Sequence, residues 1–552
     1  MRVIRALWSD LGIVLLLLAV IPRLSAAPSI TAIENAASNV GVNAPLAQGS
    51  IFVIKGSGLG PTNVSIAPTP FQSTNLSGTS VTVTVGSTVV DALMYYTSAT
   101  QIAALLPSNT PTGQASGEGS FVVTYNGQAS ARVNYGIVAS NIGIFTIDST
   151  GQGPAIVTYS DYSLVSAARA ANCSGSNTAC GAANPGDTLV VWATGLGPVS
   201  GDDASGAGLG QDMPNIPLRL WLGGVEASIV YQGRSGCCVG EDQVVFTVPN
   251  GVPTGCAVPL VAQINDLVSN TTLVPVAIGS RNCTPTNPAL ANAEQSVITG
   301  PVTFASIELS KDFNSSGNGY HDTAGFTFTK VLGYNPGIQA FLVSFIDDPP
   351  LGSCITYSNL NPSPNLPITG LASADAGSKF NVQGPSGSVL VAGNPGMFSA
   401  VLSALGTFLV PGAFTVTGTG GADIGAFSVR IVIPSQPTLT SPVYIPSFAL
   451  TRSSGLTVTW TGADQNATVE IQVQSAFDPG RKIGSTAQCN VPAGTGTFTI
   501  PPYVLLPLPT GNLGNFVFAS KNTDVPFTAT NLAVGILQAF GSFTSFAGFS
   551  VK

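Results

Sequence analysis

Apolar and polar residues alternate along most of this chain in short runs, and Gly, Pro, Asn or Ser separates one run from the next. Val81-Thr82-Val83-Thr84-Val85 shows the period most plainly, and it returns at Phe121 to Tyr125 just before Asn126-Gly127. A period of two puts every second side chain on one face, so each run predicts a β-strand with one buried side. Asn-Gly accommodates the positive φ of a tight hairpin. The second half keeps the pattern in Phe326-Thr327-Phe328-Thr329, Phe341-Leu342-Val343-Ser344-Phe345, Phe414-Thr415-Val416-Thr417 and Leu456-Thr457-Val458-Thr459-Trp460. Helical periodicity is nearly absent, and Phe398 to Leu405 fits strand or helix equally. With 63 glycines and 40 prolines in 552 residues, turns are frequent and long helices are not expected. The pattern predicts an all-β protein made of sandwiches.

Two stretches match in order and spacing. Gly49-Ser50-Ile51-Phe52-Val53-Ile54-Lys55-Gly56-Ser57-Gly58-Leu59-Gly60-Pro61 corresponds to Gly186-Asp187-Thr188-Leu189-Val190-Val191-Trp192-Ala193-Thr194-Gly195-Leu196-Gly197-Pro198, 137 residues later. The offset holds at Gly86 against Gly223, and grows to 142 by Gln101 to Pro107 against Gln243 to Pro249. The second copy has therefore gained five residues between Gly223 and Gln243, an interval that holds Gly236-Cys237-Cys238-Val239-Gly240. In both copies the first long strand ends on Gly-Leu-Gly-Pro. Glycine permits a tight corner there, and proline stops the strand.

Gly56-Ser57-Gly58-Leu59-Gly60 resembles the strand-ending corner of the IPT/TIG group of immunoglobulin-like domains. Asn184-Pro185-Gly186-Asp187, then Ala193 to Pro198, Tyr231, Gln243-Val244 and Val248-Pro249 are similar to an uncharacterised domain found at the ends of secreted bacterial proteins. This resemblance covers residues 28 to about 283 and implies tandem immunoglobulin-like β-sandwich domains. It supplies no catalytic residue, and the first copy lacks both Asn-Pro-Gly-Asp and cysteines.

Arg2 and Arg5 precede an apolar run from Leu11 to Ile21, and Leu24-Ser25-Ala26-Ala27 follows as a small-residue cleavage site, the pattern of a signal peptide cut before Ala27. No later stretch approaches the ~20 apolar residues of a membrane-spanning helix, so no transmembrane segment is expected after cleavage. The expected organisation is a signal peptide (1–26), immunoglobulin-like domains at 27–140 and 141–283, a linker at 284–300, and β-sandwich domains at 301–435 and 436–552. The last boundary is placed where Pro434, Pro437 and Pro442 cluster.

Eight cysteines in an exported chain predict disulfides. Pairing Val244–Val248 with Val258–Ile264 as a hairpin through Asn250-Gly251, and returning Leu273 to Ile278 antiparallel, sets Cys283 beside Cys256. Cys237 and Cys238 are then left to each other, although a crossed Cys238–Cys256 pairing stays open. Cys173 with Cys180 closes a short loop, and Cys354 pairs with Cys489 by elimination. The adjacent pair Cys237 and Cys238 is a candidate binding loop, with a loop staple as its plainer role.

Other candidate chemistry is sparse. Asp312, Asn314, Ser316, Asn318 and Asp322 place oxygen atoms at alternate positions, as at the start of a calcium loop, but the closing Glu of an EF-hand is missing. Asp202/Asp203 and Asp347/Asp348 are adjacent carboxylates, which point apart on an extended chain and suit solvated loops better than a glycosidase pair. Trp192, Trp221 and Trp460 fall within predicted strands and are read as core.

Composition closes off further classes. Only 18 Lys+Arg and 26 Asp+Glu are present, with one histidine, His321, and a net charge of -8. No nucleic-acid groove, multi-histidine metal site or other cofactor site is expected. His321 has no Gly-x-Ser-x-Gly elbow to serve and is read as a turn residue. The expected function is a secreted or cell-surface, non-enzymatic binding, adhesion or spacer protein whose partner is an extracellular protein or glycan. A carbohydrate-binding protein using a row of exposed aromatics is the second reading, and a glycoside hydrolase is a distant third.

Overall fold

The computed structural model of this protein describes residues 26–40, 44–112, 118–167, 181–286, 301–313, 319–332, 348–358, 371–443, 445, 448–476 and 484–552. The signal-peptide residues 1–25, Cys173, Cys180, Asn314, Ser316, Asn318, Asp347, the Phe341 to Phe345 run and linker residues 287–300 lie outside that description. The fold is all-β, a series of immunoglobulin-like sandwiches. Among the described residues α-helix is limited to one turn, Pro502–Leu505, and no helix is long and apolar enough to cross a membrane.

The two copies share one topology. In copy 1 the first sheet runs Ser29–Asn35, Ile51–Ser57, Gln101–Leu105, Leu93–Thr97, Ser65–Ile66. Its second sheet runs Leu46–Ala47, Val133–Val138, Glu118–Tyr125, Thr79–Val85, Thr88–Asp91. Copy 2 repeats this as Gly143–Ile144, Thr188–Thr194, Asp242–Thr247, Ser228–Arg234 facing Gly153–Pro154, Thr272–Val276, Gly255–Ile264, Leu218–Leu222, Val225–Glu226. Even the parallel pairing at the sheet edge recurs, Leu46–Ala47 beside Val133–Val138 and Gly153–Pro154 beside Thr272–Val276. The period-two pattern explains the packing. Val81 and Val83 point inward against Phe52, Ile54 and Phe121, while Thr82 and Thr84 remain half-buried.

One expected pairing is corrected. Asp242–Thr247 and Gly255–Ile264 do not form a hairpin; they lie in opposite sheets, and the 248–254 connection crosses the sandwich. Val244 and Phe246 meet Val258 and Leu260 across the core, which buries both strands' apolar faces as a hairpin alone would not. The other pairing holds, with Gly255 opposite Val276 and Val258 opposite Val274. Disulfides join Cys256 to Cys283, Cys354 to Cys489 and Cys237 to Cys238.

Copy 2 differs from copy 1 in burying its second sheet on both faces. Val258, Leu260 and Val274 fill its own core, whereas Trp221, Val261, Ala257 and Leu273 point the other way, into the C-terminal half. Trp221 occupies the position of Thr84 in the repeat. Its ring stacks on Tyr503 at 4.3 Å, and the Arg219 guanidinium lies over the same ring at 4.6 Å from its centroid.

One sheet runs across the boundary expected near Gln436. An eleven-stranded sheet carries, in order, Ser353–Ser358, Gly484–Pro492, Thr468–Ala476, Gly511–Lys521, Val534–Val551, Val302–Phe313, Tyr320–Val331 and Leu371–Ser373. The 18-residue strand Val534–Val551 is shared between two cores. Phe304 to Ser310 pair parallel with Val534 to Phe540, over a core that includes Phe326, Phe380 and Phe414. Farther along, the same strand pairs with Gly511–Lys521 over the core of Val458, Trp460 and Phe516. Residues near the C-terminus thus complete a sandwich begun at Val302. A proline cluster reports a local break in pairing, and it carries no information about a strand that returns from a hundred residues away. The ambiguous segment at Phe398 is strand, Met397–Ser403.

Trp221→Ala should remove the stack on Tyr503 and lower the unfolding free energy by about 3–5 kcal/mol. Urea denaturation followed by tryptophan-independent far-UV circular dichroism measures it. Thr84→Ala, at the matching place in copy 1, should change stability by less than about 1 kcal/mol.

Candidate functional site

The residues with most chemistry gather where copy 1 meets copy 2. The Ser228–Arg234 and Asp242–Thr247 strands pair until Arg234 stands opposite Asp242, and the inserted residues form the loop between them. Arg234 is 1% exposed and Asp242 is 0% exposed. Arg234 Nη1 lies 2.8 Å from Asp242 Oδ1 and also donates to the Gly49 carbonyl of copy 1 at 2.9 Å. Its Nη2 donates to the Gly197 carbonyl at 2.9 Å, and Asp242 Oδ2 accepts from the Leu196 N–H at 2.7 Å. A side chain at position 49 would collide with the guanidinium, since a Cβ there falls 2.7 Å from Nη2, and φ is +67°.

Around this pair the inserted loop plugs into copy 1. Val239 is 2% exposed and packs with Ile51, Leu93 and Leu105 of copy 1, beside the stacked rings of Phe71 and Tyr95. The Tyr95 hydroxyl donates to the Val239 carbonyl, and burial raises that phenol far above its ordinary value. Gly240 lies so close that a Cβ would fall 2.2 Å from Leu105 Cδ1. Thr194 Oγ1 accepts from the Ile51 N–H at 2.8 Å and donates to the Gly240 carbonyl at 2.6 Å. Asp203 is buried rather than solvated, accepting from the Ser108 N–H at 2.6 Å and from its hydroxyl at 3.2 Å. Asp202, by contrast, caps a short 3₁₀ turn through the Ala204 N–H.

The candidate cysteines sit on this plug. Cys237 is exposed, Cys238 faces inward, and a Glu241 carboxylate lies near both sulfurs, which are bonded to each other. Glu241 accepts from the Ser235 hydroxyl at 2.9 Å, and burial raises its carboxyl above the usual range.

Of the calcium candidates, Asp312 and Asp322 lie among the described residues, and these two do not converge. Asp312 pairs across a long hairpin with His321, and Asp322 pairs with Lys311. Neighbours along a strand face opposite ways, so the two carboxylates lie on opposite faces. Asp322 is fully buried and accepts from the Phe408 and Leu409 N–H groups at 2.7 and 2.8 Å. Asp312 accepts from the Thr323 hydroxyl at 3.0 Å, and His321 is a strand residue 3.8 Å from it. Alternate spacing brings oxygens together in a loop, whereas a strand separates them.

Trp221 and Trp460 are buried, and Trp192 is half-buried with its indole N–H donating to Thr158 at 3.0 Å. Among the described residues Tyr162 is the one exposed aromatic, so no row of surface rings forms. Asp348 is tied to the buried Lys521, which also pairs with Glu470 at 3.1 Å. Burial works against that ammonium, yet Asp348, Glu470 and Asp524 outweigh it and hold it charged.

A second feature was not legible beforehand. A cleft of about 620 Å³ opens where copy 1, copy 2 and the C-terminal half meet, lined by Asn35 and Pro45, by Asn141, Gln152 and Thr271, and by the Leu506–Thr510 loop among others. Its lining includes one carboxylate side chain, Asp266.

No protein-family model matches this chain, and no curated protein matches it either. Solved structures similar to it include domains 4–9 of the surface layer protein SbsC, at 10% identity over 95% of this chain and 83% of that one, with a TM-score of 0.14. The plexin A4 extracellular region matches at 11% identity over 94% of this chain, with a TM-score of 0.14, and this chain spans 43% of it. Chicken CNTN1 domains FN1–FN3 match at 8% identity over 65% of this chain and 94% of that one, with a TM-score of 0.13.

Burial pushes the Asp242 carboxyl up to about 6, against the opposing pull of Arg234 and the Leu196 and Gly195 N–H groups. That value lies above the ~3.9 of an unfolded chain, so this group's stabilising contribution is complete below about pH 4 and is lost as pH rises through about 6. Arg234→Met should strand the carboxylate and cost about 3–5 kcal/mol at pH 7. The loss should shrink toward pH 4, where Asp242 is neutral in the folded chain. Chemical denaturation at both pH values checks this, with Glu226→Ala as a surface control worth less than about 1 kcal/mol because its pair with Arg219 is exposed.

Proposed function

We propose that this is a secreted, non-enzymatic multidomain protein acting as a rigid extracellular spacer or binding module, with copies 1 and 2 as IPT/TIG-type domains. The observation that carries the reading is the locked junction: an inserted loop of copy 2 is buried in copy 1, and a buried ion pair is completed by a copy 1 carbonyl. A flexible string of domains has no use for such a contact, since inter-domain surfaces are ordinarily more polar and mobile. Copy 2 is held equally firmly on its other side through Trp221. The three disulfides suit an oxidising compartment outside the cytoplasm. The cleft's lining has one carboxylate side chain, Asp266, which supports binding over hydrolysis, because glycosidases use two at roughly 5–10 Å.

The vicinal cysteines serve best as a staple that shapes the plug. The partner is an extracellular protein or glycan.

Small-angle scattering of residues 27–552 should fit a single compact arrangement. Val239→Asp, which places a charge in the copy 1 pocket, should lengthen the particle while each domain stays folded by circular dichroism. A wild-type profile that requires an ensemble of extended shapes would defeat the rigid reading. N-terminal sequencing of the exported protein should begin at Ala27.

A further inference from the structure

The three-body cleft is built unlike the rest of the junctions. Elsewhere apolar side chains and buried charge dominate the contacts between bodies; here neutral amides and hydroxyls do. Asn141 Nδ2 donates to the Pro45 carbonyl at 2.6 Å, linking copy 2 to copy 1, and Gln152 Nε2 donates to the Ser358 carbonyl, linking copy 2 to the C-terminal half. Among the described residues no donor meets either amide oxygen. Thr271 is 6% exposed and lines the cleft, and its hydroxyl has no protein partner among the described residues. That hydroxyl is open to solvent, so a ligand hydroxyl can take the place of water there.

The walls themselves are rigid. Asn270 donates to the Ile144 and Gly151 carbonyls, both at 2.8 Å, and accepts from the Ile144 N–H at 2.8 Å. Arg452 Nη1 holds the opposite loop by donating to the Leu506 and Leu508 carbonyls at 2.6 and 2.7 Å. Its Nη1 is thereby committed to the backbone. Leu267, Val268 and Pro507, each half-buried, add apolar surface between the polar groups.

We infer that this cleft binds an uncharged oligosaccharide segment, with Gln152, Asn141 and Thr271 meeting its hydroxyls. A sugar hydroxyl both donates and accepts, so it satisfies an amide oxygen and a threonine hydroxyl in turn. The ring's C–H faces match the apolar patches, and the volume falls within the ~300–1,000 Å³ usual for ligand sites. The lining carries charge of both signs, Asp266 against Arg452 and Lys552, among a majority of neutral groups. One carboxylate side chain in the lining means that the bound segment is held and not cleaved.

The inference rests on the rigid arrangement proposed above, so scattering on the same sample comes first. Residues 27–552 are then titrated by saturation-transfer NMR and calorimetry with neutral trisaccharides of glucose, galactose, mannose and N-acetylglucosamine. At least one should bind. Thr271→Val, which keeps the shape and removes the hydroxyl, and Ser453→Trp, which fills the mouth from an exposed position, should each weaken it about tenfold or more, with unfolding midpoints unchanged. Compact scattering with no binding by any trisaccharide overturns this inference and leaves the rigid reading intact, whereas an extended particle defeats both. Binding that neither variant weakens places the sugar elsewhere and overturns it. A neutral Ser/Ala tetrapeptide that binds where the sugars do not overturns it in favour of a peptide.

Discussion

The structure depends on one desolvated ion pair. Arg234 and Asp242 are cross-strand partners at the mouth of an inserted loop, and neither touches water. Taking both charges out of solvent costs several kcal/mol per ion unless every hydrogen-bonding group finds a mate. Arg234 Nε is left without a partner, and copy 2 alone does not supply the mates that the rest of the guanidinium finds, because the Gly49 carbonyl belongs to copy 1. The two copies therefore dock in one register. The Val239 plug, the Thr194 bridge and the Asp203 contact to Ser108 lie within the same junction and add apolar burial and further satisfied polar groups to it.

The scarcity of charge takes on a different meaning in this light. Glu34, Asp203, Arg234, Asp242, Lys311, Asp322, Glu470 and Lys521 are all buried, although such residues are seldom buried without partners. Each belongs to a pair or accepts main-chain hydrogen bonds at a place where elements distant in sequence meet. Lys311 and Asp322 anchor a long hairpin to the Phe408 turn, and Lys521 gathers Asp348 and Glu470. A chain with few charges has placed many of them inside, where they select one arrangement, and has left its surface to neutral polar groups.

Duplication followed by divergence explains the architecture. Both copies keep the same order of central strands in their two sheets, but copy 2 has acquired a second buried face through Trp221 and a docking loop through its insertion. It is the hub between copy 1 and a C-terminal half whose two cores share the strand Val534–Val551. Bending or slipping that strand would disturb both cores at once, so the half behaves as one mechanical unit.

The sequence by itself determined what local periodicity and internal comparison can reach. Alternation named the strands from Val81 to Trp460, the 137-residue offset made Ile51–Ser57 and Thr188–Thr194 equivalent, and the change of offset located the insertion before its surroundings were known. Trp221 stands where copy 1 has Thr84, and Arg234 and Asp242 flank the insertion, yet the pattern alone reads Trp221 only as core and singles out neither charge. Tertiary structure alone decided that the 248–254 connection crosses between sheets, that Asp312 and Asp322 part to opposite faces, that Val239 enters copy 1 and that the last strand completes a sandwich opened at Val302. The reason is that β-pairing and desolvation join residues with no fixed separation along the chain: a strand's own pattern states which face it must bury, and only the assembled fold supplies what buries it.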